Sequence, residues 1–218
     1  MHKSYYEKRS VYNPSGGRMR HILDLVPSTP SYILDVGCGA GILAAELKML
    51  GHVVDGIDIS ANAIERSRPH VRAGYCFDIV HDSWPKELEQ KKFDVIIISE
   101  VIEHLFEPQA LLEKAKFLLK KGGYLIVTTP NVLFWKNRFK MFFGSFEYQS
   151  EGIMDFSHIR FFTVESARDF IKQAEYWIER EHHLYPNLYK RKLNFMGKLL
   201  PGLFAYQLIF LLSNEKKY

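Results

Sequence analysis

Cysteine is scarce in this chain. Cys38 and Cys76 are the two among 218 residues, too few for a disulfide framework and suited to a reducing interior. Long apolar runs are also missing. No stretch reaches the roughly 18 uncharged residues of a membrane span, and the opening MHKSYYEKRS has no apolar segment of the signal-peptide kind. The expected location is the cytoplasm. No segment repeats, no tract is of low complexity and no Cys/His spacing fits a zinc module, which sets aside solenoids and zinc fingers. Acidic residues are missing from 184–203, where Lys190, Arg191, Lys192 and Lys198 stand. The formal net charge is +4, so the rest of the chain sums to zero and the basicity is local. This basic loop is either solvated, or a contact for an anionic membrane surface or for phosphates.

What is present is enough apolar material, 47% of the residues, for one sizeable core and a single domain over 1–218. From Tyr32 onward apolar runs alternate with helical patterns, the order that builds a sheet with helices on both faces. SYILDV, VVDGID, AGYCFD, FDVIIIS and YLIVTT read as five strands, FDVIIIS being the β-branched kind buried on both sides. GILAAELKMLG, ISANAIERSR, EPQALLEKAKFLLKKGG and TVESARDFIKQAEY read as helices, the third closed by Gly122 and Gly123. WIEREHHLY and LFAYQLIFLL complete seven strands, joined by a long loop without a helical crossover, which suits antiparallel pairing. The expected class is α/β, a doubly wound, mostly parallel seven-stranded sheet with an antiparallel last strand. Residues 1–30 form an N-terminal cap, and 131–162, rich in aromatics, a lid or substrate insertion.

In such a sheet ligands bind beyond the carboxyl ends of the strands. The first turn there is LDVGCGAG, in which Gly37, Gly39 and Gly41 permit tight geometry and close approach. A dinucleotide turn needs a small residue where this chain has Ile42. Asp35 precedes the glycines, and its negative charge would repel a pyrophosphate by several kcal/mol in a site of reduced dielectric. A cationic ligand, carrying an ammonium and a sulfonium, would be attracted.

LDVGCGAG resembles motif I of the class I S-adenosylmethionine-dependent methyltransferases. GIDIS, FDIV, FDVIIISEVIEHL and LLKKGGYLIVTTPN follow in that family's order. Within that family it resembles the ubiquinone-biosynthesis O-methyltransferases and the methyltransferase type 11/23 group. The resemblance implies a Rossmann-like fold and S-adenosyl-L-methionine as cofactor. It places the Asp35 carboxylate near the methionine end, with Gly37, Cys38, Gly39 and Gly41 as the turn, Cys38 adding a backbone N–H. Asp58, at the end of the second strand, would accept from both ribose hydroxyls, with Ile59 on the adenine ring. Asp78 would accept from the adenine amino group beside the Ile79 amide, although His81 and Asp82 offer another register. Ser99 closes the fourth strand at the cofactor.

A sulfonium already activates its methyl carbon, so the protein mainly aligns the nucleophile and takes its proton. SEVIEHL supplies the groups. Glu100, Glu103 and His104 stand at i, i+3 and i+4, one face of a helical turn, and suit a divalent cation, Mg²⁺ by the carboxylates or Zn²⁺ by imidazole. The pattern resembles the ExxEH of ubiquinone-biosynthesis O-methyltransferases and of the enzymes that methylate the terminal ribose of small RNAs; the other reading is that it ties the loop to the sheet. His158 is a fourth ligand, a base from the lid, or structural. Without metal, His104 is the proton acceptor, with Glu100 beside it. Trp135, Phe139, Phe142 and Phe146 recur at near-helical spacing, either a helix packed on the domain or an apolar acceptor pocket. The expected partner is a small or lipid-like hydroxyl compound. The alternatives are an RNA ribose and a non-catalytic cofactor-binding subunit.

Overall fold

The computed structural model describes residues 16–186 and 199–216. The four cations of the basic loop lie outside the described residues. Seven strands form one sheet in the order β3-β2-β1-β4-β5-β7-β6. They are β1 (Tyr32–Val36), β2 (Val53–Asp58), β3 (Ala73–Cys76), β4 (Phe93–Ser99), β5 (Leu119–Pro130), β6 (Trp177–Leu184) and β7 (Gln207–Ser213). The first five pair in parallel, and β7 lies antiparallel to both β5 and β6. This is the α/β class expected, with the single antiparallel strand set inside the edge.

Strand alternation divides the core in two. Leu34, Val36, Ile96, Ile98, Leu125 and Val127 project to one side, where α5 (Pro108–Leu118) and α7 (Val164–Gln173) cover them with Leu111, Leu112, Ala167 and Ile171. Ile33, Val95, Ile97 and Ile126 project to the other, under α1 (Gly16–Leu25) and α2 (Ile42–Met49) with Ile22, Leu25, Leu43 and Leu47. Val95 through Ile98 are wholly buried, as a strand sandwiched between two helical layers must be. Helix α3 (Ala61–Ser67) starts at Ser60, whose side chain accepts from the Ala63 N–H. Short α4 (Lys86–Glu89) precedes β4. Helix α7 opens with a reciprocal capping box between Thr163 and Ser166.

Two boundaries depart from the sequence reading. Helix α5 stops at Leu118, not at the glycines, because Leu119 already pairs with Phe93 in β5. Gly122, at φ 73°, then serves an irregularity in the ladder rather than a helix end. The run LFAYQLIFLL begins as a turn of helix, α8 (Pro201–Phe204), and becomes a strand at Gln207.

The topology opens a crevice where it matters. After β1 the chain runs to β2 on one side, while β4 lies on the other, so the carboxyl ends of β1 and β4 flank a switch point.

Candidate active site

A cavity of about 450 Å³ sits at that switch point, within the roughly 300–1,000 Å³ of small-ligand sites. Of the residues expected at the cofactor, Asp35, Gly37, Cys38, Gly39, Asp58, Ile59, Asp78, Ile79 and Ser99 all line it. Gly41 does not. Its φ of 77° and its closeness to α3, where an added Cβ would come within 3.0 Å of the Ser67 Cα, make it a packing glycine between α2 and α3.

The turn holds itself rather than a phosphate. Gly37 and Cys38 donate their N–H groups to the Ile57 carbonyl at 2.8 and 2.9 Å, Gly41 donates to the Cys38 carbonyl, and Gly39 donates to Oδ2 of Asp58 at 2.9 Å. The Cys38 amide expected to face the ligand is therefore spent on β2. A phosphate site needs such amides unspent and pointing outward, so the turn disfavours pyrophosphate through its hydrogen bonds.

That reason replaces the one read from sequence. Asp35 is buried, and burial first, then repulsion from Asp58, raises its pKa from 3.8 to about 7. The carboxyl is not a fixed negative charge at neutral pH, as the sequence reading supposed. It becomes one when a cation arrives to compensate it.

Asp58 is oriented by two amides, Gly39 on Oδ2 and Ser60 on Oδ1, both at 2.9 Å. This pins the carboxylate at the end of β2, on the cavity wall. Asp78 stands two residues beyond β3, where its Oδ1 accepts from the Val80 and His81 N–H groups. Of the alternative register, His81 lines the cavity, while Asp82 turns back to accept from the Asp78 N–H at 2.8 Å.

SEVIEHL is not a helical face. Glu100 adopts φ 56°, a left-handed conformation rare for a non-glycine residue, and Ile102–His104 forms a single 3₁₀ turn. Glu100 accordingly parts from the other two. Glu100 is clasped by three elements: Oε2 pairs with Arg18 Nη1 of α1 at 3.1 Å, and Oε1 accepts from Thr128 of β5 and from Gln207 of β7. Glu103 turns inward, wholly buried, and its Oε1 has no hydrogen-bond partner among the described residues. Burial and the nearby Glu100 hold its pKa well above the usual carboxylate range.

The cluster with metal-ligating chemistry is Glu103, His104 and His158, whose candidate ligand atoms lie within 4.8 Å of one another. Glu100 is not part of it. The two imidazoles meet edge to face at 4.8 Å between centroids. Each has Nδ1 against a backbone carbonyl, Ser157 O for His104 at 3.0 Å and Ile153 O for His158 at 2.9 Å. A carbonyl only accepts, so Nδ1 carries the proton and Nε2 is the basic nitrogen in both rings. This is the orientation of a metal-binding or proton-accepting histidine. The set suits a divalent cation by chemistry, although ligands on one zinc ion stand about 3.4 Å apart, so the trio must draw together to share one.

Sequence reasoning missed Arg18, whose guanidinium is 4% exposed on the cavity wall. No motif surrounds it, and its partner Glu100 comes from the far side of the chain. Gln207 and Tyr206, from the segment entering β7, also line the cavity. The lid contributes Gly152, Ile153, Asp155 and His158 to the wall. Its aromatic helix α6 (Trp135–Phe142) contributes none and buries no residue, so those rings form neither the packed face nor the pocket anticipated.

The chain is similar to known proteins. The sequence profile of a family described as "Methyltransferase domain" matches residues 13–187. A ubiquinone biosynthesis O-methyltransferase of Glaesserella parasuis is 36% identical over 106 residues, 45% of each chain. The chain thus matches less than half the length of that curated relative. A methyltransferase structure from Mesorhizobium loti superposes with a TM-score of 0.63 at 16% identity, covering 88% of this chain and 95% of the other. The magnesium protoporphyrin IX methyltransferase of Synechocystis, solved with S-adenosylhomocysteine, gives 0.63 at 15%, covering 97% and 84%.

Proposed function

The chain belongs to the methyltransferase-domain family, among the class I S-adenosylmethionine-dependent methyltransferases, and from that premise we propose that it methylates a hydroxyl of a small or lipid-like molecule. The observation that carries this reading is the His104–His158 pair, two cavity-lining imidazoles whose Nδ1 atoms are held by carbonyls. A hydroxyl must lose its proton as it attacks the sulfonium methyl, and an imidazole whose Nδ1–H is held by a carbonyl can accept it on Nε2. The modest likeness to ubiquinone-biosynthesis O-methyltransferases supports the same acceptor chemistry.

In this reading the cofactor ribose sits on Asp58, and the adenine lies against Ile59 and Ile79 with its amino group toward Asp78. The methionine ammonium faces Asp35 and the methionine carboxylate faces the buried cation of Arg18. Methyl transfer breaks the carbon–sulfur bond in line as the acceptor oxygen attacks. His104 takes the proton, and S-adenosylhomocysteine leaves. Were Glu103, His104 and His158 to hold a divalent cation instead, it would supply a Lewis acid for the acceptor oxygen, and His104 Nε2 would be its ligand rather than the proton acceptor. A chain with only two cysteines, and so no disulfide framework, is consistent with the cytoplasmic setting proposed for it.

Incubation with methyl-labelled S-adenosylmethionine and separate pools of phenolic and catechol lipids, primary amines and RNA tests the assignment. Label in the hydroxyl pools, lost in His104→Ala, supports it. Label confined to amines sinks it, and label in RNA moves the acceptor to a ribose.

A further inference from the structure

Helix α6 is amphipathic in the wrong sense for a helix at a domain surface. A helix of a folded domain ordinarily buries its apolar stripe, yet α6 has no buried residue. Phe139 is 60% exposed, Phe142 85% and Phe143 68%, and Phe146 follows just past the helix, also exposed. At 3.6 residues per turn, Phe139, Phe142 and Phe143 share an arc of about 100° with Trp135.

The polar side of α6 is the one that faces the protein. Asn137 Nδ2 donates to the Val132 carbonyl at 3.1 Å, and Arg138 donates to the Leu133 and Gly202 carbonyls. The stripe is therefore held outward. Lys136 and Lys140 flank it on one side and Arg138 on the other, all exposed, and no acidic residue occurs between Asn131 and Phe146. Leu199 and Leu200, both exposed, precede the α8 turn whose Gly202 carbonyl Arg138 holds.

We propose that this outward stripe, Phe139, Phe142, Phe143 and Phe146 with Lys136, Arg138 and Lys140 on its flanks, docks the protein on an anionic lipid membrane. Large apolar side chains bordered by cations that reach past them are the pattern of an interfacial helix, in which rings enter the acyl boundary and cations meet headgroups. Charge decides against the other occupants. A second copy meeting this patch across a two-fold axis would bring the same three cations against themselves. RNA would be drawn by the cations, but base recognition adds hydrogen-bonding side chains to its aromatics, and the rings of this stripe offer none. Helix α6 starts five residues after Pro130, a cavity-lining residue, so docking would set the cavity close to the bilayer. The proposal does not depend on which atom accepts the methyl.

Sedimentation of the full chain with vesicles tests it, using phosphatidylcholine alone and phosphatidylcholine mixed equally with phosphatidylglycerol. Binding to the mixed vesicles, weakened by salt, is expected. The double variant Phe142→Ser, Phe143→Ser should lose roughly tenfold or more in partitioning at unchanged melting temperature and unchanged S-adenosylmethionine affinity. Lys136→Glu with Lys140→Glu should lose binding to the mixed vesicles alone. Any of four results overturns the proposal: the full chain sediments with neither vesicle; the phenylalanine variant binds as well as the parent, which would assign binding to the basic loop; the parent is a dimer that Phe142→Ser dissociates; or the same variants lose RNA and keep lipid.

Discussion

Arg18 Nη1 lies 3.1 Å from Oε2 of Glu100, so a cation from the first described helix and a carboxylate beyond the fourth strand neutralise each other at the cavity wall. The pair fastens α1 to the end of β4, and through Thr128 and Gln207 to β5 and β7.

Glu100→Ala removes a counter-charge from the buried guanidinium and should destabilise the fold, by up to roughly 3–5 kcal/mol, the cost of breaking a buried pair. Chemical denaturation should show that loss. Arg18→Met preserves the length of the side chain and removes the charge proposed to meet the methionine carboxylate. Calorimetry should then record S-adenosylmethionine binding weakened at least about tenfold, a single charge-assisted hydrogen bond being worth roughly that much. Equal affinity in Arg18→Met removes Arg18 from the cofactor site.

Cofactor affinity should depend on pH through Asp35. Its carboxyl titrates near pH 7 in the free protein, and a bound ammonium favours the ionised form, so affinity should rise as pH increases from about 6 to 8. Asp35→Asn should flatten that profile and weaken binding. Stability moves the opposite way. Because folding raises this pKa from 3.8 to about 7, the folded protein keeps a proton that the unfolded chain has released, and stability falls between these values and levels off above them. The contribution is about 4 kcal/mol at 1.36 kcal/mol per unit. A pH series of denaturation midpoints for parent and Asp35→Asn would expose it.

His104→Ala should retain S-adenosylmethionine binding while turnover falls at least about tenfold, the lower range of a lost general base. Unchanged kinetics with the hydroxyl acceptor would refute its role. His158→Ala should lower turnover with S-adenosylmethionine affinity unchanged, since its ring lies against that of His104.

Glu103→Gln separates a neutral structural role from cation binding. Burial and Glu100 push the carboxyl's pKa up and so favour its neutral form, and the isosteric amide should leave the melting temperature within a few degrees of the parent. Any rise in melting temperature on adding Mg²⁺ or Zn²⁺ should vanish in the variant. A large destabilisation without added cation would mean that the charged carboxylate is structurally required.

Gly41→Ala places a Cβ at 3.0 Å from the Ser67 backbone and forces alanine into a left-handed conformation. A loss of about 2 kcal/mol or more follows, readable from denaturation midpoints, with cofactor affinity altered less than for a change at Gly37.

The middle of the sheet was legible because its strands are buried on both faces, so β4 shows the apolar run Val95–Ile98 and β1 is apolar but for Asp35. The cofactor end was legible for a related reason: Asp35, Asp58 and the glycines sit where strands stop, and strand ends are marked locally. SEVIEHL was misread because the i, i+3, i+4 rule presumes helical φ/ψ, and one positive φ at Glu100 rotates everything after it. Helix α5 was overextended because glycines end helices and also relax strands, and the Leu119–Phe93 pairing that decides between them is a long-range fact. Arg18 was invisible for the same cause, since its significance lies wholly in residues brought to it by folding. In α6 the spacing announced a helix but not its orientation, which the hydrogen bonds of Asn137 and Arg138 fix.

Placing β7 between β5 and β6 has a temporal consequence. On the ribosome β6 emerges first and has nowhere to pair, because its neighbour is the strand synthesised after it. Until Gln207–Ser213 threads into the gap, one flank of the growing sheet stays ragged and Glu100 lacks the amide of Gln207. Birth of a competent crevice therefore waits for the last strand to leave the exit tunnel.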